Sequence, residues 1–179
     1  MACTPTLTDI TYSCDDLALG GVTELYVGNK ADLLSLIAVD ASDVVTITPA
    51  ATNLLGDDDV VKIEFNIKDG FSSFADVKTV ADGSLTVVPT ITVEIPKMTA
   101  AHRNAVEQMS DPSAQLVAFV ATAAGTYHLV GWEYGLFVST VDGASGVNRG
   151  DKNRYQLTLT GEQSKLAFDI TTAEWADVA

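Results

Sequence analysis

The chain has 179 residues, 47% of them hydrophobic and 19% charged, which is enough apolar material for one packed domain and excludes wholesale disorder. Ten Lys and Arg against 24 Asp and Glu give a formal charge of −14, so the average surface repels polyphosphates and argues against a nucleic-acid grip. No run of about 18 apolar residues occurs, and the N-terminus lacks a basic segment followed by an apolar one, so neither a membrane span nor a signal peptide is expected.

Residues 1–21 are rich in Thr, Asp and Gly and close on Gly20-Gly21. They read as an N-terminal arm, and residues 22–179 as a single β-rich domain. Cys3 and Cys14 both fall in the arm and read as free thiols, with a disulfide between them left open. The first strand is expected over Val22 to Val27. Leu33 to Val39 and Val44 to Thr48 follow as a hairpin or two short strands, and Pro49 to Asp59 as a loop.

Two long segments then alternate between apolar and polar residues. Val61, Ile63, Phe65 and Ile67 alternate with Lys62, Glu64, Asn66 and Lys68, and Leu85, Val87, Ile91, Val93 and Ile95 share one parity opposite Thr86, Thr90, Thr92 and Glu94. Each reads as a strand with one dry face and one wet face. The stretch joining them, Asp69 to Ser84, carries the turn dipeptides Asp69-Gly70 and Asp82-Gly83 along with Phe71, Phe74, Val77 and Val80. It is too long and too apolar for bare loop, and is expected to fold as a small excursion or to project toward a neighbour.

One segment reads as helix, Thr99 to Ser110. Thr99 caps its start, Asp111-Pro112 stops it, and Met98, Ala101, His102, Ala105, Val106 and Met109 share a face. After it, Gln115 to Thr122, Thr126 to Tyr134, Leu136 to Val141, Tyr155 to Gly161 and Leu166 to Ile170 form a string of short strand candidates with short connections. Those connections favour antiparallel hairpins. The expected class is mainly β, an antiparallel β-sandwich or rolled barrel with one flanking α-helix.

Catalytic chemistry finds little footing. His102 and His128 are the two histidines, neither in a nucleophile–base motif, so no enzyme activity is expected. No HExxH, paired CxxC, EF-hand or phosphate-loop spacing occurs, so neither a metal nor a cofactor is expected. Asp57-Asp58-Asp59 reads as a solvated turn, and Arg149-Gly150-Asp151 as a chance tripeptide in a polar loop. The aromatic group Tyr127, Trp132, Tyr134 and Phe137 reads as core or subunit contact, with a sugar platform as the alternative if Trp132 and Tyr134 stand exposed together.

The two alternating strands, the helix Thr99 to Ser110, and the block from Gly125-Thr126-Tyr127 through Gly131-Trp132 and Gly135-Leu136-Phe137 to Tyr155-Gln156-Leu157-Thr158-Leu159-Thr160-Gly161-Glu162 resemble bacteriophage tail tube proteins and the tube proteins of related injection systems. The resemblance covers about two thirds of the chain and lies in architecture more than in motif. It implies a virion structural subunit, assembled in the host cytoplasm, whose hexameric rings stack into a tail tube. DNA would pass through that tube as cargo without specific binding, and the partners would be further copies of the chain and other tail proteins, with no membrane.

On that reading the lumen-facing candidates are Lys62, Glu64, Asn66, Lys68, Thr90, Thr92 and Glu94, and the assembly-contact candidates are Phe71, Phe74 and Val77. The arm, the loop Pro49 to Asp59 and the stretch Asp69 to Ser84 are the candidates for contacts between rings. Lys62 and Lys68 would bring positive charge to the lumen unless they pair with Glu64 and Glu94. A head-tail connector, tail terminator or capsid-decorating protein shares the same β-rich character, and a carbohydrate-binding β-sandwich is the alternative from a different class.

Overall fold

The computed structural model describes residues 20–57, 59–65, 72–81, 84–146 and 151–179. In chain order the elements are β1 (Val22–Asn29), α1 (Lys30–Leu33), β2 (Ile37–Val39), β3 (Val45–Ile47), β4 (Val60–Lys62), β5 (Ser73–Ala81) and β6 (Ser84–Pro96). They continue with α2 (Ala100–Met109), β7 (Leu116–Thr122), β8 (Tyr127–Val130), β9 (Leu136–Ala144), β10 (Arg154–Gly161), β11 (Phe168–Ile170) and α3 (Thr172–Trp175). The fold is mainly β, with every strand pairing antiparallel.

β2 and β3 pair as a separate hairpin, and the other nine strands divide into two sheets. One runs β4-β1-β7-β8-β11 and the other β9-β10-β6-β5, and a single rung, Leu116 opposite Leu136, joins them. The chain crosses between the two at the turn from β8 to β9. Gly131 and Gly135 bracket that turn with φ of +83° and +87°, values that favour residues without a Cβ. At Gly131 a Cβ would also meet Leu136 at 2.5 Å.

The two sheets face each other across a first core. Leu25, Val27, Ala118 and Val120 come from one sheet, Ile91, Val93, Leu157 and Leu159 from the other, and Val106 of α2 closes one end. The opposite face of the five-stranded sheet is covered too. There Tyr26, Val117, Phe119 and Leu129 pack against Leu33, the β2–β3 hairpin, Leu54 and Trp175 of α3. Trp175 stacks on Tyr127 at 4.6 Å between ring centroids and meets Tyr26 edge-on at 5.5 Å, both favoured ring geometries. The covering on both faces explains why β7 reads Leu-Val-Ala-Phe-Val-Ala with all six residues buried. Alternation gives way to a continuous apolar run when neither face meets water.

Several expectations change in detail. Strand structure in the first alternating segment stops at Lys62, while residues 66–71 lie outside the described residues. The two alternating segments are not neighbours, because β4 pairs with β1 and β6 pairs with β5 and β10. The stretch expected as an excursion supplies β5, which pairs with β6 in register from Ser73–Thr92 to Ala81–Ser84. Leu33 to Val39 divides into α1 and β2, and α3 joins the expected α2 to give three helices among the described residues. Thr99 caps α2 as expected, its side chain accepting from the His102 N–H at 3.1 Å.

Candidate functional site

The four-stranded sheet is dry on one face and wet on the other. Cross-strand register groups the wet-face residues into rows: Ser73, Thr92, Thr158 and Thr140 form one, and Ala75, Thr90, Thr160 and Phe137 the next. These side chains carry no charge. Toward the end of β6 a further row places Glu94 beside Gln156 and Asp142, and Arg154 follows opposite Pro96. β5 has no strand partner on its outer side among the described residues, and β9 meets β7 there only through the Leu116–Leu136 rung. Such edges are ready templates for pairing with another chain.

Glu94 occupies the wet parity of β6, yet its side chain is only 6% exposed. Arg154 donates to one carboxylate oxygen, and Lys152 Nζ lies 3.3 Å from the other. Two cations thus close over one acid, so this end of the face carries a compensated cluster rather than an open negative charge.

The seven lumen candidates therefore separate. Thr90, Thr92 and Glu94 share one face of the four-stranded sheet. Lys62 lies in the other sheet, with Nζ 3.1 Å from Glu24 and 5.3 Å from the Tyr26 ring centroid. The Glu24 carboxylate beside Lys62 raises that ammonium above its usual range. Glu64 is exposed beyond the end of β4, and Asn66 and Lys68 lie outside the described residues. Of the assembly-contact candidates, Phe71 also lies outside them. Phe74 is half-buried against the first core, and Val77 is 57% exposed on the wet side of β5.

A cleft of about 720 Å³ opens where the first core meets α2. Its apolar wall includes Val61, Ala101, Ala105 and Met109, and Asp32, Asp59 and Glu64 line it as acids. Val61 is 64% exposed there. His102 also lines the cleft, but its Nδ1 is held 2.8 Å from the Lys97 carbonyl.

His128 sits within a hydroxyl–imidazole–carboxylate chain that the sequence spacing did not single out. Its Nδ1 lies 2.9 Å from Asp169 Oδ1 and its Nε2 3.0 Å from Thr126 Oγ1. Thr126 Oγ1 is itself 2.6 Å from Thr122 Oγ1, and the Asp169 side chain is 88% exposed. A solvated carboxylate and a hydroxyl already engaged by a second threonine tie β7, β8 and β11 together. They lack the dry enclosure that activates a nucleophile. Nearby, burial pushes Asp76 above the usual carboxylate range against the opposing effects of the Ala167 N–H and His128.

The remaining features are structural. Asp57 accepts from Ala51 N at 2.8 Å, Thr52 N at 3.2 Å and Thr52 Oγ1 at 3.1 Å, and the Ala51 N–H leads in holding its carboxyl below the usual range. Trp132 packs against the second core while Tyr134 is 66% exposed, so the two do not form a joint platform. Asp58, Arg149, Gly150 and the cysteines lie outside the described residues. Among the described residues, no group of three or more His, Cys, Asp or Glu is suited to a metal, and no helix is long and apolar enough to cross a membrane. Comparison with family models, curated proteins and solved structures gave no match.

Proposed function

We propose that this chain is a self-assembling structural subunit of the tail tube type, with its four-stranded sheet as one segment of the tube wall. One observation carries the reading: among the described residues β9-β10-β6-β5 buries one face in the core, presents uncharged threonine rows on the other, and ends in a strand edge that is open at β5 and, past the Leu116–Leu136 rung, at β9. A ring of such sheets, β5 of one copy beside β9 of the next, satisfies both edges without leaving a free one. Rows of hydroxyls and amides with few free charges suit a lumen through which a polyanion slides without being held. The −14 formal charge opposes backbone binding elsewhere on the surface. Assembly and passive conduction are the mechanism, with no catalytic step.

Negative-stain electron microscopy across a concentration series tests this. The expected result is rings that stack into tubes. Closed rings that never polymerise would move the reading to a connector or terminator. A monomer at every concentration would overturn it.

A further inference from the structure

α2 is a helix of ten residues that buries only Val106. Ala101 and Ala105, four apart and so on one face, stand exposed and line the cleft together with the exposed Val61 of β4. Val27, Ile63 and Ile95 of the first core line it too. The cleft is therefore an open end of that core, where apolar surface reaches solvent. Asp32, Asp59 and Glu64 stand in the same lining, and their carboxylates have no hydrogen bond or ion pair among the described residues. Lys62 is the one Lys or Arg among the described lining residues, and Glu24 already holds it at 3.1 Å. In the adjoining sequence Asp58 adds an acid, and Lys68 is followed by Asp69, so the neighbouring chain brings no net positive charge to the acids.

We propose that the α2–β4 cleft receives a basic amphipathic helix of a partner protein. Its apolar side chains seat on the open end of the first core, and its Lys or Arg side chains meet Asp32, Asp59 and Glu64. Ala101 and Ala105 keep the α2 wall low, so a second helix can approach to the roughly 8–10 Å at which helices pack. A second copy of the chain does not supply such a helix among the described residues. α1 and α2 carry one basic residue each, Lys30 and Arg103, and α3 carries none. Lys30 is spent on the Glu133 carbonyl and Arg103 lies beside Glu107. None of the cleft residues comes from β5 or β9, so tube formation and partner binding can succeed or fail separately.

A Leu/Lys amphipathic helical peptide of about 18 residues serves as the probe, with a Leu/Glu peptide of the same pattern as its counterpart, and fluorescence anisotropy reads binding. The Leu/Lys peptide should bind and the Leu/Glu peptide should not. Asp32→Asn with Glu64→Gln should weaken binding about tenfold. Asp142→Asn with Glu162→Gln makes the same charge change at exposed positions outside the cleft and should weaken it less than about twofold. Ala105→Trp fills the cleft without changing the charge and should weaken binding at least as much as the Asp32 and Glu64 pair. Asp32→Lys with Glu64→Lys should bind the Leu/Glu peptide instead, a gain that misfolding does not produce. Equal weakening by the two acid pairs, or binding indifferent to Ala105→Trp, leaves only diffuse attraction to an acidic surface and overturns the proposal. Self-association of the protein alone that Ala105→Trp abolishes overturns it as well and gives the cleft to a second copy.

Discussion

The five-stranded and four-stranded sheets are built from similar β-branched residues, yet they differ in what covers them. The first is packed on both faces, by the opposing sheet on one side and by β2–β3, α1 and α3 on the other. The second is packed on one face and shows threonine rows on the other. Covering a sheet twice commits it to holding the fold. Covering it once leaves a large regular surface open, with the outer edge of β5 lacking a strand partner among the described residues.

Perturbations should separate the two sheets by size of effect. Phe119→Ala, in a fully buried position on β7, removes a ring from the second core and should cost about 3–5 kcal/mol in urea denaturation. A loss below about 1 kcal/mol would show that the doubly covered sheet does not dominate stability. Glu94→Ala leaves Arg154 and Lys152 facing each other without their acid. That should cost about 2 kcal/mol, and Glu94→Gln less, by the same measurement. Thr158→Val, on the wet face, should shift stability by no more than about 0.5 kcal/mol. A larger loss would mean that the face is structurally engaged within the monomer.

Asp76 gives a pH-dependent version of the comparison, because it reaches from β5 of the second sheet to the Ala167 N–H at 2.7 Å, beside β11 of the first. Its native pKa is raised, so the native state holds the proton more tightly than the unfolded chain does. As pH climbs from the ordinary value of 3.8 through the raised one, this group makes stability fall. Asp76→Asn should remove that fall. Denaturation midpoints across this window check it, and parallel curves for the two proteins would rule the contribution out.

Much of this architecture is legible in the residues. The Thr99 cap and the Asp111-Pro112 stop locate α2, and the alternation from Val87 to Ile95 locates the dry face of β6. β5 is harder to see, because Phe74, Asp76, Lys78 and Val80 on one side and Ala75, Val77 and Thr79 on the other show no apolar contrast. That mixture follows from a strand leaving the core as it approaches the tip. Four-residue helices are too short for a period to register, although Thr171, whose hydroxyl accepts from Glu174 N at 3.2 Å, leaves a cap signal before α3. Glu94 sits at a wet position by parity and is buried by residues some 60 positions later, a cross-strand fact that no local pattern carries. The rows of the wet face depend on register in the same way.

The pairing of β1 with β7 also governs time. Leu25 lies opposite Val120, 95 residues further along the chain, whereas β5–β6 and β9–β10 are closed by local hairpins. Long-range pairs form slowly, because the intervening loop must close before its contacts are made. During synthesis the edge of β1 that pairs with β7 therefore waits, with β4 on the other edge, until α2 and β7 have followed it. The five-stranded sheet can then be completed only after the β5–β6 hairpin, which lies between β4 and β7 in the chain, has been made.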